Sequence, residues 1–311
     1  MRVEKHDFSK NNLQLLAWRE LIENRKIPFS KFKWQYCKNP YGLTDVWLLY
    51  DKGKIIAQYT LQRQEYLYYG TRITGALAFD LAVHPDYRKR GLFIDMGFHS
   101  LKEAGNLGIQ FVLGFPWEDG IALPGHKAVG WTMLGKLNIY EKEIEYLEYK
   151  EPKYIKPIST FDRRFTRLSE EYGGRNIMLN RTASYLNWRY ILKPDSYYHA
   201  YKISYDDFLI GYFILKSYKE YLHIVDFLLP NDDYIFEAVI RYSMMVAPIY
   251  NKLSLIVIEG SEFCKYLKKN GFKKQEKGFE PIMYMNDPSL EINDFVNVYN
   301  YHFTMGDNDI F

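Results

Sequence analysis

The chain has 311 residues, 47% hydrophobic and 25% charged, with a net charge of +3. That apolar fraction excludes intrinsic disorder, and the balanced charge argues against general nucleic-acid binding. No stretch approaches the ~18–20 uninterrupted apolar residues that a membrane-spanning helix needs. Two cysteines, Cys37 and Cys264, are too few for a disulfide framework or a zinc cluster. The charged start Met1-Arg2-Val3-Glu4-Lys5-His6-Asp7 has no apolar run behind it, so a reduced, cytoplasmic protein with no metal site is expected. Aromatic residues reach 18%, 29 of them Tyr, an excess that strands or a ligand platform would explain.

In chain order, Leu13, Leu16, Ala17, Leu21 and Ile22 fall at helical spacing. Val46 to Tyr50 and Ile55 to Leu61 read as strands joined by the hairpin signal Asp51-Lys52-Gly53-Lys54. Ile73 to Val83 reads as a longer strand, and Leu92 to Ala104 as a helix with Phe93, Met96, Gly97, Leu101 and Ala104 on one face. Ile109 to Phe115 is the next strand. Antiparallel strands followed by a strand–helix–strand unit predict an α/β fold with a mixed sheet. The charged segment 151–175, with Pro152, Pro157 and Gly173-Gly174, reads as a connection.

The chain also repeats itself. Trp34, Tyr36 and Pro40 recur as Trp188, Tyr190 and Pro194, each 154 residues on, and Ile55–Tyr59 resembles Leu209–Phe213 at the same offset. Later, Phe79-Asp80-Leu81 resembles Val225-Asp226-Phe227, and Gly130-Trp131 resembles Gly271-Phe272. Two tandem domains follow, 1–150 and 151–311.

The chemistry-bearing stretch is Leu81-Ala82-Val83-His84-Pro85-Asp86-Tyr87-Arg88-Lys89-Arg90-Gly91-Leu92-Phe93. A strand ends at His84-Pro85, a basic turn follows, and a helix starts near Gly91. Free N–H groups and the dipole at a helix start favour an anion. Arg88, Lys89 and Arg90 add positive charge, and Gly91 lets the backbone approach a phosphate. A pyrophosphate suits this better than a metal. Neither Gly-Lys-Ser/Thr nor Gly-x-Gly-x-x-Gly is present.

Those residues resemble the central motif of the GNAT N-acetyltransferase superfamily. Trp34-Gln35-Tyr36, Asn39-Pro40, Gly114-Phe115-Pro116 and Gly306-Asp307-Asn308-Asp309 are similar to tandem GNAT proteins of polysaccharide biosynthesis. The resemblance implies two tandem GNAT-like domains, the second degenerate, and direct acyl transfer from acetyl-CoA to the amine of a small acceptor. It carries the pyrophosphate loop to Arg88, Lys89, Arg90, Gly91, Leu92 and Phe93, and the pantetheine-pairing strand to Leu81, Ala82 and Val83. It places His126 where relatives have a Tyr that protonates the leaving thiolate, and a near-neutral imidazole would serve there. Asp80 is the implied general base, with a structural role open to it because Asp226 repeats it.

Trp117, Glu118 and Asp119, after the fifth strand, are acceptor-binding candidates, and Asp307 and Asp309 could reach the acceptor from the tail. An amino sugar or sugar nucleotide is the acceptor the resemblance suggests. A FemABX-like aminoacyl transferase and a non-catalytic acyl-CoA-binding protein are the alternatives. The second copy carries Leu228-Leu229-Pro230-Asn231-Asp232-Asp233-Tyr234 in place of the basic loop, and its acids would repel a pyrophosphate.

Overall fold

A computed structural model describes residues 1–144, 152–246 and 249–310. The chain opens with strand β1 (Arg2–Lys5), helices α1 (Asn12–Glu23) and α2 (Phe29–Cys37), and strands β2 (Asp45–Asp51), β3 (Lys54–Tyr68) and β4 (Thr71–Val83). Helix α3 (Leu92–Asn106), strand β5 (Phe111–Gly114), helix α4 (Leu123–Val129) and strands β6 (Thr132–Met133), β7 (Leu137–Glu143) and β8 (Ile155–Ile158) follow. Next come α5 (Arg163–Gly173), β9 (Ile177–Leu179), α6 (Ala183–Leu186), β10 (His199–Tyr205), β11 (Phe208–Tyr218) and β12 (Tyr221–Leu228). The chain then runs through α7 (Asp233–Val246), β13 (Lys252–Ile258), α8 (Glu262–Lys269), β14 (Lys273–Lys274), β15 (Ile282–Met285) and α9 (Ile292–Phe295).

These elements form two α/β units, each with a mixed sheet. The first comprises Met1–Tyr66, Arg72–Leu134 and Pro281–Val296, and the second Leu67–Thr71, Gly135–Glu280 and Asn297–Phe311. The sequence-predicted boundary at 150/151 lies outside the described residues. The segment 151–175, expected to be a connection, contains β8 and α5. Charges on the outer face of α5 hid the buried Phe165 and Leu168 on its inner face. Neither unit is contiguous: β7 belongs to the second sheet and β15 to the first.

The first sheet runs β1-β2-β3-β4-β5-β15-β6. Both of its faces are covered, so β2 reads as an unbroken apolar run. Val46 and Leu48 pack with Leu15 and Trp18 of α1 and Phe32 and Tyr36 of α2. Trp47 and Leu49 pack on the other face with Leu92, Met96 and Leu101 of α3 and Val129 of α4. Gly97 is required where α3 meets α4, because a Cβ there would lie 2.8 Å from a Val129 methyl.

The second sheet runs β14-β7-β13-β12-β11-β10-β8. Phe213, Leu222, Ile224 and Leu255 pack there with Phe236 and Val239 of α7 and Leu267 of α8. Many tyrosines are core residues, among them Tyr36, Tyr59, Tyr66, Tyr140, Tyr185 and Tyr212. This unit also buries charge. Arg181 donates through Nε to Asp226 at 3.0 Å, through Nη1 to the Leu179 carbonyl at 3.3 Å, and through Nη2 to Asp307 at 2.9 Å and Thr304 at 3.2 Å. Tyr190 donates to Asp226 at 2.8 Å. Burial pushes the Asp307 carboxyl up, and Arg181 opposes that rise.

Removing one member of a buried ion cluster leaves the others uncompensated. Asp307→Ala is therefore expected to destabilise the second unit by about 3–5 kcal/mol in urea unfolding. A loss below about 1 kcal/mol would show that the cluster adds little.

Candidate active site

The site is built on one interruption of β4. The strand pairs in parallel with β5 from Gly75↔Phe111 to Leu77↔Leu113. β5 ends at Gly114, whereas β4 runs on to Val83. The two strands part, and Ala78 to Val83 lack β5 on that edge.

Within this stretch the alternation of side chains changes. Ala78, Leu81 and Val83 pack on the α3 face, and Phe79 and Ala82 on the α1–α2 face. Strict alternation cannot put 79 and 82 on one face. Asp80 supplies the extra residue by adopting a left-handed conformation, φ +51°, which Asp tolerates better than most residues.

The Asp80 carboxylate therefore turns toward α1 and α2. It accepts from Tyr36 Oη at 2.6 Å and from Arg19 Nη2. Gln58 Nε2 donates to the same Tyr36 oxygen at 3.2 Å. Arg19 Nη2 also reaches Glu23, which Arg25 holds from outside.

Beyond Val83 the chain makes one tight turn, Pro85–Tyr87, fixed by Tyr87 Oη donating to Asp51 at 2.9 Å. Arg88 Nε donates to the Val83 carbonyl at 3.2 Å. Arg90 donates to the Asp86 carbonyl at 2.8 Å and lies 4.9 Å over the Tyr87 ring. Lys89 and Gly91 are left-handed, φ +62° and +79°. Arg88, Lys89, Arg90 and Gly91 are exposed.

Helix α3 begins at Leu92, and its first N–H groups have no intrahelical acceptor. The space before them is open, since the nearest atom to a Cβ built on Gly91 is Asp95 Oδ2 at 4.0 Å. Open N–H groups, the dipole and three exposed cations suit a pyrophosphate.

His126 lies in α4 at 5% exposure. Its ring meets Phe93 and Trp131 edge-on, each at 5.1 Å, and its Nδ1 has no hydrogen-bond partner among the described residues. Burial pulls its pKa down to about 4. Burial therefore moves the ring away from the near-neutral pKa expected from the sequence. Trp117, Glu118 and Asp119 lie in the turn after β5, closed by Gly120 N–H to the Trp117 carbonyl at 2.8 Å, with Trp117 38% exposed.

The second unit repeats the clamp without the loop. Tyr190 and Arg181 hold Asp226 as Tyr36 and Arg19 hold Asp80, and β12 carries a register shift between Ile214↔Asp226 and Leu215↔Ile224. At the start of α7, Asp232 Oδ1 accepts from the N–H groups of Tyr234 and Ile235 at 2.8 and 3.2 Å. That helix end is thus already occupied by a carboxylate.

Residues 18–133 match the family model of the acetyltransferase (GNAT) domain. This stretch is a GNAT domain. It spans the Asp80 clamp, the parting strands and the basic loop. No curated protein matches the sequence. A GCN5-related N-acetyltransferase from Anabaena variabilis superposes with TM-score 0.71 at 15% identity, over 92% of this chain and 73% of that one. A protein from Enterococcus faecalis, named a probable N-acyltransferase, gives 0.75 at 12%, over 92% and 73%. A tandem GNAT protein from the clavulanic acid biosynthesis pathway gives 0.59 at 12%, over 93% and 100%. At such identities these likenesses show the fold alone.

Arg19 and Tyr36 are site residues that the sequence reading missed as such. Tyr36 carried a signal, because it and Asp80 are duplicated together as Tyr190 and Asp226. Arg19 carried none, since Arg181 comes from a different place in its copy.

The charge state of His126 has a measurable consequence. Its folded pKa lies below the ordinary 6.5, so the folded state resists protonation that the unfolded state accepts. That stability is full above about pH 6.5 and is lost as pH falls toward 4. Buried His223 and partly buried His302, also drawn down to about 4, add to the loss. His126→Phe should flatten the fall of Tm between pH 6.5 and 4; an unchanged slope would show that the ring is not held neutral.

Proposed function

We propose that this protein is an acyl-CoA-dependent N-acyltransferase that passes an acetyl group to a small amine. The observation that carries the reading is the parting of β4 from β5 beyond Leu77↔Leu113, directly beside the open start of α3. The outer part of β4, beyond its described pairing with β5, and the start of α3, which no side chain caps, meet at Val83–Gly91.

Acetyl-CoA, when bound, supplies the acyl group as a thioester. In this reading the N–H groups at Leu92 and Phe93, with Arg88, Lys89, Arg90 and Gly91, would hold its pyrophosphate. Leu81, Ala82 and Val83 offer backbone groups to its extended arm. Asp80, fixed by Tyr36 and Arg19, receives the acceptor's ammonium and takes its proton. Asp80 keeps 14% of its side chain exposed, whereas Asp226 keeps 1%, so the first copy is the accessible one.

His126 is uncharged at neutral pH and is read here as packing for Phe93 rather than as the acid. Trp117, Glu118 and Asp119 border the site and are read as acceptor contacts. An amino sugar or sugar nucleotide is the acceptor that the family resemblance favours. The second unit, with Asp232 on its helix start, is read as binding no CoA.

Calorimetric titration with acetyl-CoA tests this. The wild type should bind, and Arg88→Ala/Arg90→Ala should bind at least about tenfold more weakly, since each charged contact is worth ~1.5–3 kcal/mol. No binding by the wild type would overturn the proposal; undiminished binding by the variant would overturn the loop assignment.

A further inference from the structure

We infer that the second unit binds an alkylated ammonium compound in an aromatic cup made by Tyr154, Tyr205 and Tyr234. This surface takes no part in the acyl-transfer reading.

The three rings come from separate elements. Tyr154 precedes β8, Tyr205 ends β10, and Tyr234 lies in the first turn of α7. Tyr154 lies against both of the others, its ring centroid 5.0 Å from Tyr205 and 6.5 Å from Tyr234. It is half-buried on the core, whereas Tyr205 and Tyr234 are 43% and 64% exposed. Phe208 pairs with Tyr205 across the β10–β11 hairpin and is 80% exposed. Paired residues of an antiparallel ladder share a face, so Phe208 extends the ring surface. Single exposed aromatic residues are ordinary, but an adjoining group of them marks a contact surface.

The charge around the rings is negative. Asp206 and Asp207 form the hairpin turn, Asp232 and Asp233 stand at the start of α7, and all four are exposed. Burial, Tyr234 and the Asp232 carboxylate together hold the Tyr205 hydroxyl pKa up, which sets that carboxylate beside the cup. Arg164, on the Asp207 side, is already paired with Asp162 at 2.6 Å.

The first unit shows the same place with its cation supplied. At the repeat offset of 154, the hairpin residues 51–54 correspond to 205–208. Beside that first hairpin, the Arg90 guanidinium lies 4.9 Å over the Tyr87 ring, whose hydroxyl donates to Asp51. Ring, acid and cation there all belong to the chain. In the second unit, residues 229–234 keep a ring and carry two acids, and they include no Lys or Arg. A cation from outside the chain completes the set.

The lining limits its class. Ring faces attract a cation, and a nearby carboxylate adds to the attraction. Anions are repelled by the same carboxylates. A metal ion would need converging ligands, and no such group occurs among the described residues. Rings on several sides favour a weakly hydrated cation with apolar bulk, which is an alkylated ammonium.

Calorimetric titration of the full chain tests this, with choline as the probe and 3,3-dimethylbutanol as its uncharged isostere. The wild type should bind choline at least about fivefold more tightly than the alcohol, the increment expected of a cation over partly desolvated rings. Tyr234→Leu should weaken choline binding about threefold or more. Asp232→Asn should weaken it too while preserving the helix cap, since Asn accepts the same N–H groups. Tyr218→Leu, a change at an exposed tyrosine outside the cup, should leave it unaltered.

No saturable choline binding by the wild type, equal binding of the alcohol, or undiminished binding by Tyr234→Leu would each overturn the inference. If Tyr234→Leu does not fold, Asp232→Asn and the comparison with the alcohol decide. Acetyl-CoA binding should be the same in all these variants, so the two sites fail or stand separately.

Discussion

One left-handed residue in the middle of β4 organises the first unit. Without the conformation at Asp80, the alternation begun at Ala76 and Ala78 would continue, and Asp80 would point toward α3. Leu81 and Val83 would then face α1 and α2, where Phe79 and Ala82 now lie. The interruption gives the carboxylate to one side of the sheet and the strand's last apolar residues to the other. It is held by an unusually complete set of partners: a buried tyrosine hydroxyl, a buried guanidinium and, behind the tyrosine, the Gln58 amide. Tyr36 is correspondingly held neutral, burial and the adjacent carboxylate both raising its pKa.

The duplicate provides an internal comparison. Both copies keep the tyrosine and the aspartate, with a left-handed residue at Asp80 in one strand and a register shift beside Asp226 in the other. They differ in what surrounds the charge. In the second unit the residues Thr304 to Asp307 close over Arg181 through a capping box, and a Cβ on Gly306 would fall only 2.1 Å from Tyr190 Oη. In the first, solvent still reaches the carboxylate. The clamp recurs in both units, and the two copies differ in how far solvent reaches the aspartate.

Local features were legible in the sequence, and distant partnerships were not. The end of β4, the basic turn and the start of α3 lie within one short run, where proline, positive charge and glycine each signal their own conformation. The helix α2 was less visible: Trp34 and Tyr36 stood out as repeat markers, but Phe29–Cys37 has too weak an apolar periodicity to announce a helix. Arg19 lies 61 residues from Asp80, and nothing in its own neighbourhood marks it. The charge of His126 depends on how closely Phe93 and Trp131 enclose it, a packing outcome that spacing does not encode. The aromatic excess resolves largely into packing, with most of the large rings inside the two cores.

The placement of β15 bears on how the protein is made. The first sheet has its β5 edge completed by Ile282–Met285, with Ile282 opposite Gly114 and Met283 opposite Leu113. During synthesis, β5 leaves the ribosome about 170 residues before its neighbour, at a rate of roughly 5–20 residues per second. For that interval the strand beside the basic loop has an open edge, the arrangement most exposed to wrong pairing. The first sheet is therefore completed only once β15 has been made and has paired with β5.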